Sequence, residues 1–343
     1  MNNKNLHLDA LRGFACVLLV AFHVVGFDAE SGLRIREGLY RDLSDVLAYV
    51  RMPLFTFLSG IVYAYRPFTG DWRGFTTGKV RRLLVPLVIV GFPFEYVRAH
   101  TEAANAFGAP WYMMLVTPLS HFWYVEALFL IFVGVMILEA SGALATKKRF
   151  LIVLSVAVAI YLARIMIPHF AIWGASYLFP YFLLGLAMQR YSLIEHLNLR
   201  IALALGLGVA MVLIMIVFDA LPLVPKRSVL GLLLGSLSCV ALLSIKAKPK
   251  LLGSIGGYSY TIYLYHVFFT AAARIALGHL GIVDTDLLFV GSLTAGIVGP
   301  ILIDHLCSAT NTTRAAFLGK SPTEVSKLWL TRRYYLLRDS RPD

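Results

Sequence analysis

Apolar residues recur along the chain in runs of about 20, separated by short polar or charged stretches. At a rise of about 1.5 Å per residue, each run is long enough for a helix to cross bilayer hydrocarbon. Ten such runs are present, near 8–27, 46–65, 82–98, 121–139, 150–167, 173–189, 201–220, 228–245, 258–279 and 286–306. The pattern predicts an all-α, polytopic integral membrane protein of about ten transmembrane helices. No repeat is visible along the sequence. Residues 1–306 read as one membrane domain, and 307–343 as a basic tail too short to build a core of its own.

Composition agrees. The chain is 59% hydrophobic and only 15% charged, where a soluble domain carries about a quarter charged residues. Its mean hydropathy is +0.74. The first run is expected to be retained rather than cleaved as a signal peptide. One Lys precedes it, but charges lie inside it and no small-residue cleavage site follows. Cys16, Cys239 and Cys307 lie in or beside apolar segments without metal-ligand spacing, and read as small apolar filler.

The net charge of +12 fits either a nucleic-acid binder or a membrane protein with basic cytoplasmic loops. Ten spans put both termini on one side, and the positions of the cations then decide. Twenty-one Lys and Arg fall on the terminus side, six on the other, and four (Arg12, Arg51, Arg164 and Arg274) within spans. Basic residues favour the cytoplasmic face. Both termini are therefore expected in the cytoplasm, and the charge needs no nucleic-acid partner. The tail is basic enough to lie on anionic membrane lipids.

The opening run, "NLHLDALRGFACVLLVAFHVVG", carries an acid, a base and an imidazole. Eleven steps separate Arg12 from His23, which brings them within about 20° of the same helix face and roughly 16 Å apart along the axis. Asp9, three residues before Arg12, joins that face. Ionisable groups at membrane depth are costly and face a cavity or a partner. Two readings follow: an Asp9–Arg12 pair with His23 satisfied by a neighbouring helix, or His23 as a general base inside a channel.

Here the sequence resembles the acyltransferase-3 family, ten-helix bacterial membrane O-acyltransferases whose first helix carries an Arg-x10-His motif. Arg12, ten intervening residues and His23 match it, as does the preceding Asp9. Further segments agree, in order. "RMPLFTFLSGIVYAYR" (51–66) resembles the second helix; Ser59 and Gly60 suit close helix approach, and Arg51 stands at its outer end. "TTGKVRRLLVPL" resembles the Arg-x-x-Arg motif ahead of the third helix, with Lys79 at its first position, Arg82 at its second and Arg81 alongside. Lysine keeps the charge there but loses the planar fork. "SHFWYVEALFLIF" puts His121, Trp123 and Glu126 at the outer start of the fourth span, where the family has a Trp followed by a Glu. "GGYSYTIYLYHVFF" resembles the late Ser-Tyr-x-x-Tyr-x-x-His segment and lines Ser259, Tyr263 and His266 along one face.

The resemblance implies a donor such as acetyl-CoA, or another acyl-CoA, and a hydroxyl acceptor on a glycan or lipid-linked glycan at the bacterial inner membrane. Arg12, Lys79, Arg81 and Arg82 are then expected to draw the donor phosphates. His23 is expected to act as base, with Asp9 and Glu126 as further catalytic candidates. Arg51, Trp123, Ser259, Tyr263 and His266 are expected around the acceptor. No metal is expected. Some members carry an appended esterase-like domain, and none is expected in these residues. A proton-coupled transporter and a non-catalytic scaffold for polysaccharide assembly stay open as alternatives. Against the first, no paired Gly/Pro-interrupted helices occupy equivalent halves; a scaffold would not need the Arg12–His23 register. Direct transfer, an acyl-His intermediate and the oligomeric state are likewise open.

Overall fold

The computed structural model describes residues 3–101, 113, 116–118, 120–167 and 169–320. Among them every regular element is helical. Fourteen α-helices follow in order: α1 (Asn3–Val25), α2 (Leu39–Val46), α3 (Ala48–Tyr65), α4 (Trp72–Lys79), α5 (Val85–Ala99), α6 (Trp123–Ala140), α7 (Lys147–Leu162), α8 (Ile172–Arg190), α9 (Leu199–Val217), α10 (Val229–Ile245), α11 (Lys250–Gly257), α12 (Ser259–His279), α13 (Thr285–Cys307) and α14 (Asn311–Leu318). The Lys79–Arg82 motif falls where a π-helical turn, Val80–Leu84, joins α4 to α5.

Each of the ten apolar runs contains a helix, but they are not equivalent. Six stretches are long and apolar enough to cross a membrane: Leu6–Val25, Leu39–Tyr65, Ser120–Ala140, His169–Arg190, Leu199–Val217 and Thr285–Cys307. The rest fall short for different reasons. Helices α5, α7 and α10 have 15, 16 and 17 residues, below the roughly 20 a perpendicular span uses. Helix α12 has 21 residues, but its first half carries Ser259, Thr261, Tyr263 and His266, which lower its hydropathy.

Burial sorts the bundle into a centre and a rim. The α2–α3 stretch is 78% buried, whereas α9 and α13 are 17% and 22% buried. On α9, Leu203, Leu207, Met211 and Ile214 follow helical spacing on one exposed face. Such a continuous apolar surface is a liability in water and ordinary against lipid tails. This is a multi-pass membrane protein.

Two crossings hold the centre together through glycine. A Cβ on Gly60 of α3 would lie 2.1 Å from the Phe182 carbonyl oxygen, and one on Gly185 of α8 would lie 1.9 Å from that of Phe57. Gly13 of α1 and Gly256 of α11 abut the Leu252 and Asp9 carbonyls in the same reciprocal way. Without side chains at these points the backbones meet, and van der Waals contact replaces the hydrophobic effect that lipid removes. Helix α1 is thereby fixed between α11, α12, α13 and α3.

Residues just beyond the expected 306/307 boundary pack on the bundle. Helix α14 packs on α5 and α13, burying Leu318 and Arg314. Beyond it Lys320 Nζ reaches the Asp304 carboxylate at 2.6 Å. Gly319, at φ +60, lies against the backbone of Arg81 and Arg82. The first part of the expected tail is thus part of the bundle, because Leu318 and the Asp304–Lys320 pair dock it. Residues 321–343 of that tail lie outside the described residues.

Candidate active site

Three imidazoles from three separate elements converge. His23 comes from the end of α1, His121 from the short 3-10 turn Ser120–Phe122 before α6, and His266 from the middle of α12. Ring centres are 4.8 Å apart for His23–His266, 5.0 Å for His121–His266 and 5.8 Å for His23–His121. Ser120, which leads into the turn, has φ +52, a conformation that costs a non-glycine residue roughly 1–2 kcal/mol. The surrounding packing holds it there and aims His121 inward.

The three rings have unlike surroundings. His266 is fully buried. Its Nδ1 lies 2.8 and 2.9 Å from the Ile262 and Tyr263 carbonyl oxygens. Carbonyls only accept, so Nδ1 carries the proton, and in the neutral ring Nε2 carries a lone pair. That Nε2 has no hydrogen-bond partner among the described residues. His121 is engaged at both ends. Nε2 meets the Leu264 carbonyl at 3.4 Å and Nδ1 meets Ser120 Oγ at 3.2 Å, while Tyr263 donates its hydroxyl to the His121 carbonyl. His23 is only half-buried and lines a cavity. Of the three it is the ring open to a ligand, with the lone pair of His266 behind it.

The cavity has a volume of about 710 Å³. It is formed by the ends of α1, α5 and α12, the starts of α3, α6, α8 and α13, and the turn before α10. It therefore opens at the end of the bundle opposite Arg12. The Trp123 and Trp173 indoles, both in its wall, stack at 4.7 Å and 29°. This makes a flat apolar platform in the wall. Arg51 places its guanidinium 3.7 Å over the Phe22 ring, next to His23. His23, Arg51, Trp123 and Tyr263 all line this one cavity, and the His266 ring adjoins that of His23.

Other expected residues lie elsewhere. Asp9 is held by Arg12 at 2.6 Å, about 21 Å from His23 along α1. Glu126 is buried one turn deeper on α6 than Trp123, outside the cavity wall. Neither carboxylate oxygen has a hydrogen-bond partner among the described residues. Ser259 also lies outside the cavity wall; its carbonyl accepts from Cys16 Sγ at 3.8 Å. Seven steps separate it from His266, so the shared helix face carries it toward the other end of the bundle. In the basic group, Lys79 turns its ammonium onto the Phe132 ring at 3.5 Å, while Arg81 and Arg82 are exposed.

Several residues of the wall carry no signal in the sequence: Arg98, Trp173, Tyr177, Lys226 and Arg274. His121 has one in hindsight, as a histidine at the outer start of a span. Among the described residues no three His, Cys, Asp or Glu side chains are arranged to hold a metal ion.

Chemically, the site offers an accessible imidazole, a fixed lone pair on a neighbouring ring, an aromatic platform and cations around one cavity. That suits proton abstraction from a hydroxyl better than stable ion transport, which uses discontinuous helices at the midplane. No curated protein sequence and no solved structure matches the chain significantly. The family model described as "Acyltransferase domain" does match, over residues 5–305, which spans α1 to α13 and every residue of the site. The chain belongs to the acyltransferase-3 family and is a membrane acyltransferase.

Proposed function

We propose that the protein is an O-acyltransferase that moves an acyl group, most simply acetyl, from cytoplasmic acyl-CoA to a hydroxyl of an envelope glycan or its lipid-linked precursor. On this reading the ten helical runs cross the bacterial inner membrane with both termini inside. The observation that carries the reading is the convergence of His23, His121 and His266 at a cavity on the helix whose other end bears Arg12.

The acceptor hydroxyl enters the cavity and donates its proton to His23 as its oxygen attacks the thioester carbonyl. The carbon–sulfur bond then breaks and CoA leaves as thiol once protonated, so the proton taken by His23 is returned to sulfur. The Nε2 lone pair of His266 has no partner among the described residues and its ring centre lies 4.8 Å from that of His23; on this reading a turn of the His23 ring during the reaction gives its N–H to that lone pair and leaves the other nitrogen, lone pair outward, to the cavity. His266 is thus a positioning residue, the role an orienting carboxylate fills in a hydrolase triad. Toward the inner end, Arg12, Arg81 and Arg82 offer charge to the donor phosphates.

The test uses the protein in lipid nanodiscs with labelled acetyl-CoA and candidate surface glycans. Label should pass to glycan and should be lost in His23→Ala with the fold intact. Undiminished transfer by that variant would remove His23 from the chemistry. Proton-coupled glycan uptake without transfer would replace the enzyme by a transporter.

A further inference from the structure

The cavity wall holds four cationic side chains, Arg51, Arg98, Lys226 and Arg274, and among the described residues it holds no Asp or Glu. These cations lie at the end of the bundle away from Arg12, Arg81 and Arg82, so the donor phosphates do not account for them. Arg98 is matched by Glu95 at 2.5 Å. Arg51 is buried, bonded to the Ser44 carbonyl at 3.1 Å and packed on Phe22. Neither it nor Lys226 has a carboxylate within 4.0 Å among the described residues. Asp45 acts on both from beyond contact and is itself engaged by Arg41 at 3.7 Å; a buried cation such as Arg51 with no anion in contact is expensive at membrane depth, and an incoming anion would relieve that cost.

We propose that the acceptor is anionic: a glycan carrying a carboxylate or a phosphate group close to the hydroxyl that is acylated. The cations are placed for this. Arg51 adjoins the His23 neighbour Phe22. Arg274 lies on α12 eight residues beyond His266, a rise of about 12 Å toward the open end, and Lys226, an exposed side chain in the turn before α10, extends the wall outward. The acid group is held by guanidinium, whose planar fork suits both carboxylate and phosphate. The sugar face rests on Trp123 and Trp173, and the hydroxyl is left at His23. This rests on the acyl-transfer reading and names its substrate class.

The test uses the full chain in nanodiscs, with saturating labelled acetyl-CoA and three acceptors of equal length: a neutral oligosaccharide, an oligouronate and an oligosaccharide bearing one phosphate monoester. The acceptor KM should be about tenfold lower or better for at least one charged acceptor than for the neutral one, a difference of about 1.4 kcal/mol. The uronate and phosphate arms show which acid is preferred. The advantage should shrink when salt is raised from about 50 to about 500 mM. In Lys226→Gln and Arg274→Gln the charged-to-neutral preference should collapse toward one. Equal KM values for all three acceptors, or variants that raise the KM for acetyl-CoA instead of the acceptor, would overturn it. Binding is read separately, without donor, by quenching of Trp123 and Trp173 fluorescence. If no acceptor is acylated, the acyl-transfer reading fails. Tighter, salt-sensitive binding of the charged oligosaccharides would still uphold the anionic site, and equal binding would reject it.

Discussion

The two ends of this bundle hold their polar residues in opposite ways. At the end around His23, residues far apart in sequence close on one cavity, where backbone carbonyls hold the His121 and His266 rings and the His23 ring packs against them. At the end around Arg12, the polar groups are either paired locally, as Asp9–Arg12 is at 2.6 Å, folded onto aromatic rings, as Lys79 is, or exposed, as Arg81 and Arg82 are. The first arrangement is preorganised and the second is not. A preorganised group acts on bond making, where geometry is worth orders of magnitude. Loose surface cations act on encounter and binding, where each is worth a fraction of that. The comparison predicts that changes at the His23 end appear in kcat and changes at the Arg12 end in the donor KM.

The largest effect is expected at His23. His23→Ala should lower kcat about 10²–10⁴-fold, the usual worth of a general base, with both KM values held; a loss confined to KM would place the base elsewhere. His266→Ala comes next, with kcat down on the order of 10- to 100-fold. His266→Gln, whose amide oxygen can accept from His23 while its NH2 meets the backbone carbonyls, should recover part of that loss. Equal activity of the two His266 variants would reduce His266 to packing.

The difference between the ends also decides what was legible in the sequence. The Arg12–His23 register could be read because one helix fixes it: spacing alone puts both on one face. The glycine at position 60 was legible for a similar reason, since small residues announce close approach. Which partner His23 meets was not legible, because that depends on how α1 and α12 are packed. The sequence offers both Glu126 and the Ser259–Tyr263–His266 stripe, and the packing sets His266 beside the ring. Lys226, in a loop, and Arg274, within a span, carry no chemistry in their pattern until α8, α10 and α12 enclose a common space. Span number suffered likewise. The rim helices read cleanly because lipid demands a uniform apolar face, whereas α12 trades hydropathy for the polar residues the site needs.

A third expectation tests the scaffold that holds the preorganised end. In Gly185→Ala the new methyl meets the Phe57 carbonyl at 1.9 Å, and in Gly60→Ala it meets that of Phe182 at 2.1 Å. A backbone oxygen cannot rotate away as a side chain can, so α3 and α8 must separate. Each variant should lose about 1–3 kcal/mol, seen as a lower melting temperature in detergent. Gly206→Ala on the lipid-facing α9 has open space around it and should be neutral or gain up to about 1 kcal/mol. A Gly185→Ala protein as stable as Gly206→Ala would show that the α3–α8 crossing is not held at backbone contact.

The smallest effect belongs to the loose end. Arg81→Ala with Arg82→Ala should raise the donor KM by about tenfold at most and leave the acceptor KM in place. Lys79 adds a pH signature. Burial against Phe75 and Phe132, together with the neighbouring Arg82, pushes its ammonium down to about 8. The protonated form attracts the donor phosphates, which are already fully ionised there. Donor kcat/KM should therefore be level below pH 8 and fall as pH rises through it, by about threefold for the loss of one partly screened charge. Lys79→Arg stays charged throughout and should flatten the profile. The same fall in Lys79→Arg would assign the titration to another group, and a flat wild-type profile would leave Lys79 as an aromatic-packed anchor and Arg81 and Arg82 as the donor's contacts.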